Sequence, residues 1–169
     1  MRCKTAGWDR ESYDLCESFS SISYTRMSQF YHYRIVPGES LARLWMTGRV
    51  DRDNKLAALE GLRSDPDWHE NMDVIWDCSR TTEVIILPED LPPLLEAVLE
   101  DAGGMDVFYG ERDNVFVIAK LFATLERRRG KDARVCTTMD EVLDVLGRIQ
   151  LPPALRDPDD GDQQRCTTA

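Results

Sequence analysis

Three short stretches of this sequence gather side chains that can do chemistry. Asp77-Cys78-Ser79-Arg80-Thr81-Thr82 sets a carboxylate, a thiol, hydroxyls and a guanidinium side by side. Glu111-Arg112-Asp113 follows Gly110, and Thr137-Thr138 forms the third stretch. Each trails a short apolar run, so each is read as the loop leaving a strand, where open α/β sheets collect their ligands. Ser79, Arg80, Thr81 and Thr82 are the candidates for binding or phosphorylation, with Asp77, Glu111, Arg112 and Asp113 contributing from the same edge. Ser, Thr and Asp are also ordinary turn formers, which is the plainer account of the first stretch.

Other chemistries find less support. Asp77 with Asp113 could pair at a metal ion, but a loop acid and a helix cap explain them more simply, and no metal is expected. Cys78 would need a base to act as a nucleophile, and no His neighbours it. His32 and His69, the only histidines, stand far apart and near no Cys, so structural roles are expected. The five cysteines are widely spaced with no CxxC pair, which points to free thiols in a reducing cytoplasm. Neither GxGxxG nor GxxxxGK[ST] occurs, so nucleotide binding by those loops is disfavoured and no cofactor is expected. Arg127-Arg128-Arg129 suits the negative end of a helix, and Trp45 and Trp76 suit a core.

The elements that must position these residues follow from periodicity. Residues 30–36 and 41–50 read as strands joined by Pro37-Gly38-Glu39-Ser40, an antiparallel hairpin. Along 41–50 neither face is clearly polar. Asp51 or Asp53 caps a helix carrying Leu56, Leu59 and Leu62, which stops before Ser64-Asp65-Pro66. Residues 72–77 form the next strand, and 78–90 a long connection. Asp90 caps a helix with Leu91, Leu94, Leu95, Val98 and Leu99 along one stripe, ended by Gly103-Gly104. Residues 105–109 are a strand. Residues 114–130 are one helix, with Val115, Ile118, Ala119, Phe122 and Leu125 inward, Asp113 as cap and Gly130 as stop. Residues 133–137 are a strand, and Thr138-x-x-Glu141 is a capping box opening a helix with Val142, Val145, Leu146 and Ile149 inside. The expected fold is α/β: a single compact domain, an N-terminal β-hairpin followed by βαβα-type alternation, with helices packed on a mixed, mostly parallel sheet.

Charge divides the 169 residues. The net charge is −10, of which −8 falls in 29–150, none in 1–28 and −2 in 151–169. Residues 1–28 are read as a disordered arm or a mis-assigned start, 29–150 as the folded domain, and 151–169 as a disordered acidic tail. The acidity argues against nucleic acid and favours a protein partner with a basic face. No apolar run reaches the ~20 residues of a membrane span, and with no apolar h-region in the first residues a secretory signal is not expected.

The hairpin YRIVPGESLARLWMTGRV, the strand with its acid VIWDCSR, the helix PEDLPPLLEAV, and the run from VFYGERDNVFVIAKLFATL to ARVCTTMDEVLDVLG resemble the STAS-like family of small bacterial α/β proteins. The resemblance covers about residues 31–148 and implies the fold of anti-sigma factor antagonists. In that family a serine after the third strand, within an Asp-Ser-Ser-Gly-like stretch, is phosphorylated by a partner kinase. This chain has no such stretch, but Ser79, Thr81 and Thr82 lie at the matching place. The resemblance therefore implies a non-enzymatic regulatory or protein-interaction module; apart from it, the free thiols point to the cytoplasm, and an exposed hairpin edge could pair with another copy as a homodimer. The alternative is a small hydrolase or other enzyme using Asp77, Cys78, Ser79 or Asp113 at that edge.

Overall fold

The structure is a computed structural model of the chain, and residues 28–99 and 103–157 are described. The expectations for the N-terminal arm, and for the tail beyond Asp157, lie outside them.

The hairpin forms as the sequence predicts. β1 (Tyr31–Val36) pairs antiparallel with β2 (Leu41–Asp51), in register from Val36 opposite Leu41 to Tyr31 opposite Met46. A 3-10 turn over Pro37–Glu39 joins them, and Ser40 closes it in the left-handed region at φ 48°. Asp51 caps α1 (Arg52–Arg63) through a reciprocal capping box with Asn54. β3 (Asp73–Ile85), α2 (Leu91–Leu99), β4 (Asp106–Tyr109), α3 (Asp113–Arg128), β5 (Ala133–Cys136) and α4 (Met139–Val145) follow. The protein is α/β, with one five-stranded mixed sheet in the order β1-β2-β3-β4-β5 and every pair after the first parallel.

Because the parallel strands advance always in one direction, right-handed crossovers place every connecting helix on the same face. Ala58, Leu59 and Leu62 of α1, Leu94, Leu95 and Val98 of α2, and Ala119, Phe122 and Ala123 of α3 share one core with Leu44, Trp76 and Phe108 of the sheet. The second face is covered by α4 and by the chain after it. There Leu41, Ile75 and Val107 pack on Val142, Leu151 and Leu155. β2 thus lies between two covered faces, which explains its lack of a polar side.

Several expectations are corrected. Residues 78–85 are not a connection: β3 runs on to Ile85, pairing along the whole length of β2. Two register shifts, between Trp45 and Thr47 and between Gly48 and Arg49, give β3 two more residues than its partner. Gly48, at φ 71°, sits at this irregularity, where glycine accepts the left-handed backbone. Arg112, not Asp113, is the N-cap of α3 and makes no side-chain cap, while Asp113 lies in the first turn. Ile149 lies beyond α4 and is exposed, because α4 ends at Val145. Residues 151–157 belong to the fold: a 3-10 turn over Pro153–Leu155 buries Leu155, and Leu151 and Asp157 are buried beside it. Proline and aspartate made this segment resemble a solvated tail, yet its two leucines complete the second face.

Candidate functional site

The six-residue stretch 77–82 is strand, so its side chains alternate between faces rather than converging. The register shifts modify that alternation. Asp77, Ser79 and Arg80 all bond groups of the second face, while Cys78 and Thr81 line a pocket on the first.

On the second face Asp77 is fully buried and ion-paired with Arg43, itself 2% exposed. Arg43 Nε donates to Asp77 Oδ2 at 2.9 Å, with Nη2 bonding the same oxygen. Asp77 Oδ1 accepts from Ser79 N at 2.9 Å and from Ser79 Oγ at 2.6 Å. Arg43 Nη1 continues to Leu155 O at 2.8 Å, Arg34 Nη1 donates to Ala154 O at 2.9 Å, and Arg80 Nη2 holds both Asp157 oxygens at 2.8 Å. Three arginines, one from each of β1, β2 and β3, therefore clamp residues 154–157 onto the sheet. Trp45 is sandwiched in the same layer: His32 stacks on it at 4.6 Å, and the Arg43 guanidinium lies 4.7 Å from its ring centre. Burial, then Arg80 and Arg34, hold the His32 pKa below its ordinary value. The paired, hydrogen-bonded Asp77 carboxylate is satisfied within the fold.

The remaining predicted residues scatter. Thr82, Glu111, Arg112 and Asp113 are exposed, and Thr81 is buried with its hydroxyl donating to Met46 O at 3.2 Å. Tyr109 donates to Glu111 Oε1 at 3.4 Å, and burial followed by that carboxylate pushes its pKa up to about 12. Asp77 and Asp113 are not a pair, since one is closed in the clamp and the other faces solvent. Burial pushes the Cys78 thiol up to about 12, away from a reactive thiolate. Cys78 and Cys136 are free thiols, and no group of three or more His, Cys, Asp or Glu that could hold a metal ion occurs among the described residues.

The first face holds a constellation that motif reading missed. Lys55, 5% exposed, points from α1 into three aromatic rings, with Nζ 3.9 Å from the Phe122 centroid, 4.6 Å from Trp76 and 4.9 Å from Phe108. Nearby, Lys131 Nζ pairs with buried Asp106 at 3.0 Å. Neither oxygen of fully buried Glu126 has a hydrogen-bond partner among the described residues, and burial, then the Asp106 charge, raises its pKa to about 8. Beside Lys55 a pocket with about 40 Å³ of free space opens among Met46, Val50, Thr81, Val84, Val115 and Ile118. The signal was present in the spacing: Lys55 falls in step with Leu59 and Leu62, and Glu126 with Ala119 and Phe122, so each charge sits on an apolar stripe.

No known family model matches the chain, and no curated protein matches it. No helix among the described residues is long and apolar enough to cross a membrane.

Proposed function

We propose that this chain is a non-enzymatic regulatory module of STAS-like type, which engages a protein partner with a basic face at the carboxyl edge of its sheet. The observation that carries the reading is the commitment of Asp77 and Ser79 to the Arg43 clamp, while Thr82, Glu111, Arg112 and Asp113 stand exposed. The β3–β4 pairing ends at Asp77 opposite Tyr109, so Glu111, Arg112 and Asp113 leave β4 at its carboxyl end, beside the continuing stretch of β3 that carries Thr82. Acidic Glu111 and Asp113 there suit a basic partner, consistent with the −8 of the central region.

Ser79 is the regulatory position in this reading. Its hydroxyl donates to Asp77. A phosphate would replace that donor with about −1.5 to −2 of charge against a carboxylate, so the chain from Asp77 through Arg43 to Leu155 must rearrange. Thr81 is excluded as a modification site by its burial.

Affinity capture from the native cell, with phosphosite mapping, tests the reading. Wild-type protein should recover a partner with a basic surface, Glu111→Lys with Asp113→Lys should lose it, and Ser79→Asp should change its recovery. Equal recovery by all three proteins sinks the proposal.

A further inference from the structure

Lys55 is the fourth residue of α1, within the positive end of the helix, and sits in an apolar interior. Among the described residues no hydrogen bond or ion pair reaches its amine; its close partners are ring faces. Both surroundings disfavour an ammonium, since burial strips its hydration and the N-terminal dipole repels it. The rings offset part of this through cation–π attraction, by less than desolvation costs a buried ion. Glu126 from α3, Asp106 from β4, Cys78 from β3 and Lys131 act on it as well, and burial prevails, holding its proton affinity below that of ordinary lysine. An unprotonated amine in an apolar pocket is a nucleophile.

We propose that the pocket beside Lys55 is a binding site for small, unbranched apolar aldehydes, which the Lys55 amine captures as an imine. The site lies on the opposite face of the sheet from Asp77 and Arg43, and the inference does not rest on the partner reading.

The pocket fits this chemistry in shape and polarity. Its free space of about 40 Å³ is about three waters' worth at 10–15 Å³ each, so it admits a carbonyl head with its first carbons. Val84 and Ile86, at and just after the end of β3, and Val115 and Ile118 of α3 line it with apolar side chains, which suits an apolar trailing chain. The Cys78 thiol stays protonated and the Thr81 hydroxyl is bonded to Met46 O, so neither competes with the amine. In the reaction the amine nitrogen attacks the carbonyl carbon, and the carbinolamine loses water. A C=N bond replaces C=O, the two amine hydrogens leave with the oxygen as water, and no oxidant or reductant takes part.

The test uses the full chain with hexanal at pH 6.5, the imine being fixed by cyanoborohydride and located by peptide mapping. The four lysines, Lys4, Lys55, Lys120 and Lys131, make the map unambiguous. A lowered pKa leaves more of an amine unprotonated at this pH, so Lys55 should be modified faster than exposed Lys120. Glyceraldehyde, with the same carbonyl and a polar body, should not favour Lys55. Ile118→Trp, which fills the pocket from its lining and keeps the amine, should abolish the Lys55 adduct while Lys120 labelling persists. Lys55 labelled no faster than Lys120, equal preference for both aldehydes, or an unaffected Ile118→Trp overturns the proposal.

Discussion

Both carboxylate oxygens of Glu126 are buried without a hydrogen-bond partner among the described residues, and its pKa of about 8 stands well above the 4.5 of a free glutamate. A carboxyl group raised on folding contributes stability that is fully present below its unfolded pKa and is lost as pH rises through the folded value. Between pH 5 and 8 the wild-type protein should therefore lose stability relative to Glu126→Gln, by roughly 3–4 kcal/mol given about 1.4 kcal/mol per pKa unit. Urea titrations of both proteins at pH 5, 6.5 and 8 check this, and parallel curves would refute it. Asp77 carries the opposite lesson. Asp77→Asn should cost about 3 kcal/mol, because the buried Arg43 guanidinium loses its counter-charge. Joint replacement, Arg43→Met with Asp77→Leu, should cost less than the two single changes together, as a double-mutant cycle measures.

At the scale of elements, the segment after α4 behaves as part of the second layer. Leu155 is fully buried against the sheet, so Leu155→Ala should destabilise by about 2–4 kcal/mol through lost burial and the cavity left behind. A midpoint unchanged in urea would mean that residues 151–157 fray without consequence. The Thr138 capping box at α4 is a smaller device: its hydroxyl accepts from Glu141 N at 3.2 Å, while Glu141 Oε2 accepts from Thr138 N at 3.4 Å. Thr138→Ala should cost about 1 kcal/mol, read as a lower thermal midpoint. That box was legible because both halves lie three residues apart. The true length of β3 was not, since Ser-Arg-Thr-Thr reads as a loop until a long β2 offers it a partner. Gly48 was the one local mark of the bulged pairing.

At the scale of the whole molecule, the strand order decides where material accumulates. Three helices share the first face, and the second depends on α4 and a short segment held by arginines. Native-state hydrogen exchange should find the slowest amides in β2 and β3, which lie inside both layers, and faster exchange in 151–157. Equal protection across these regions would contradict a second layer that opens first. The candidate residues divide the same way: Ser79 and Arg80 serve one face, Cys78 and Thr81 the other.

The sequence by itself determined the α/β class, the order of hairpin, strands and helices, and the capping box at Thr138, and narrowed the cap of α1 to Asp51 or Asp53, because propensity, periodicity and capping act over a few residues. Only the tertiary structure decided which chemistry-bearing side chains meet. Arg43 and Asp77 are 34 positions apart in the chain yet hydrogen-bonded, and the rings around Lys55 come from β3, β4 and α3. Such meetings follow from register and crossover hand, which are long-range properties. A charge on an apolar stripe announces in the sequence that something unusual is buried, and the packing of three distant elements decides what it can do.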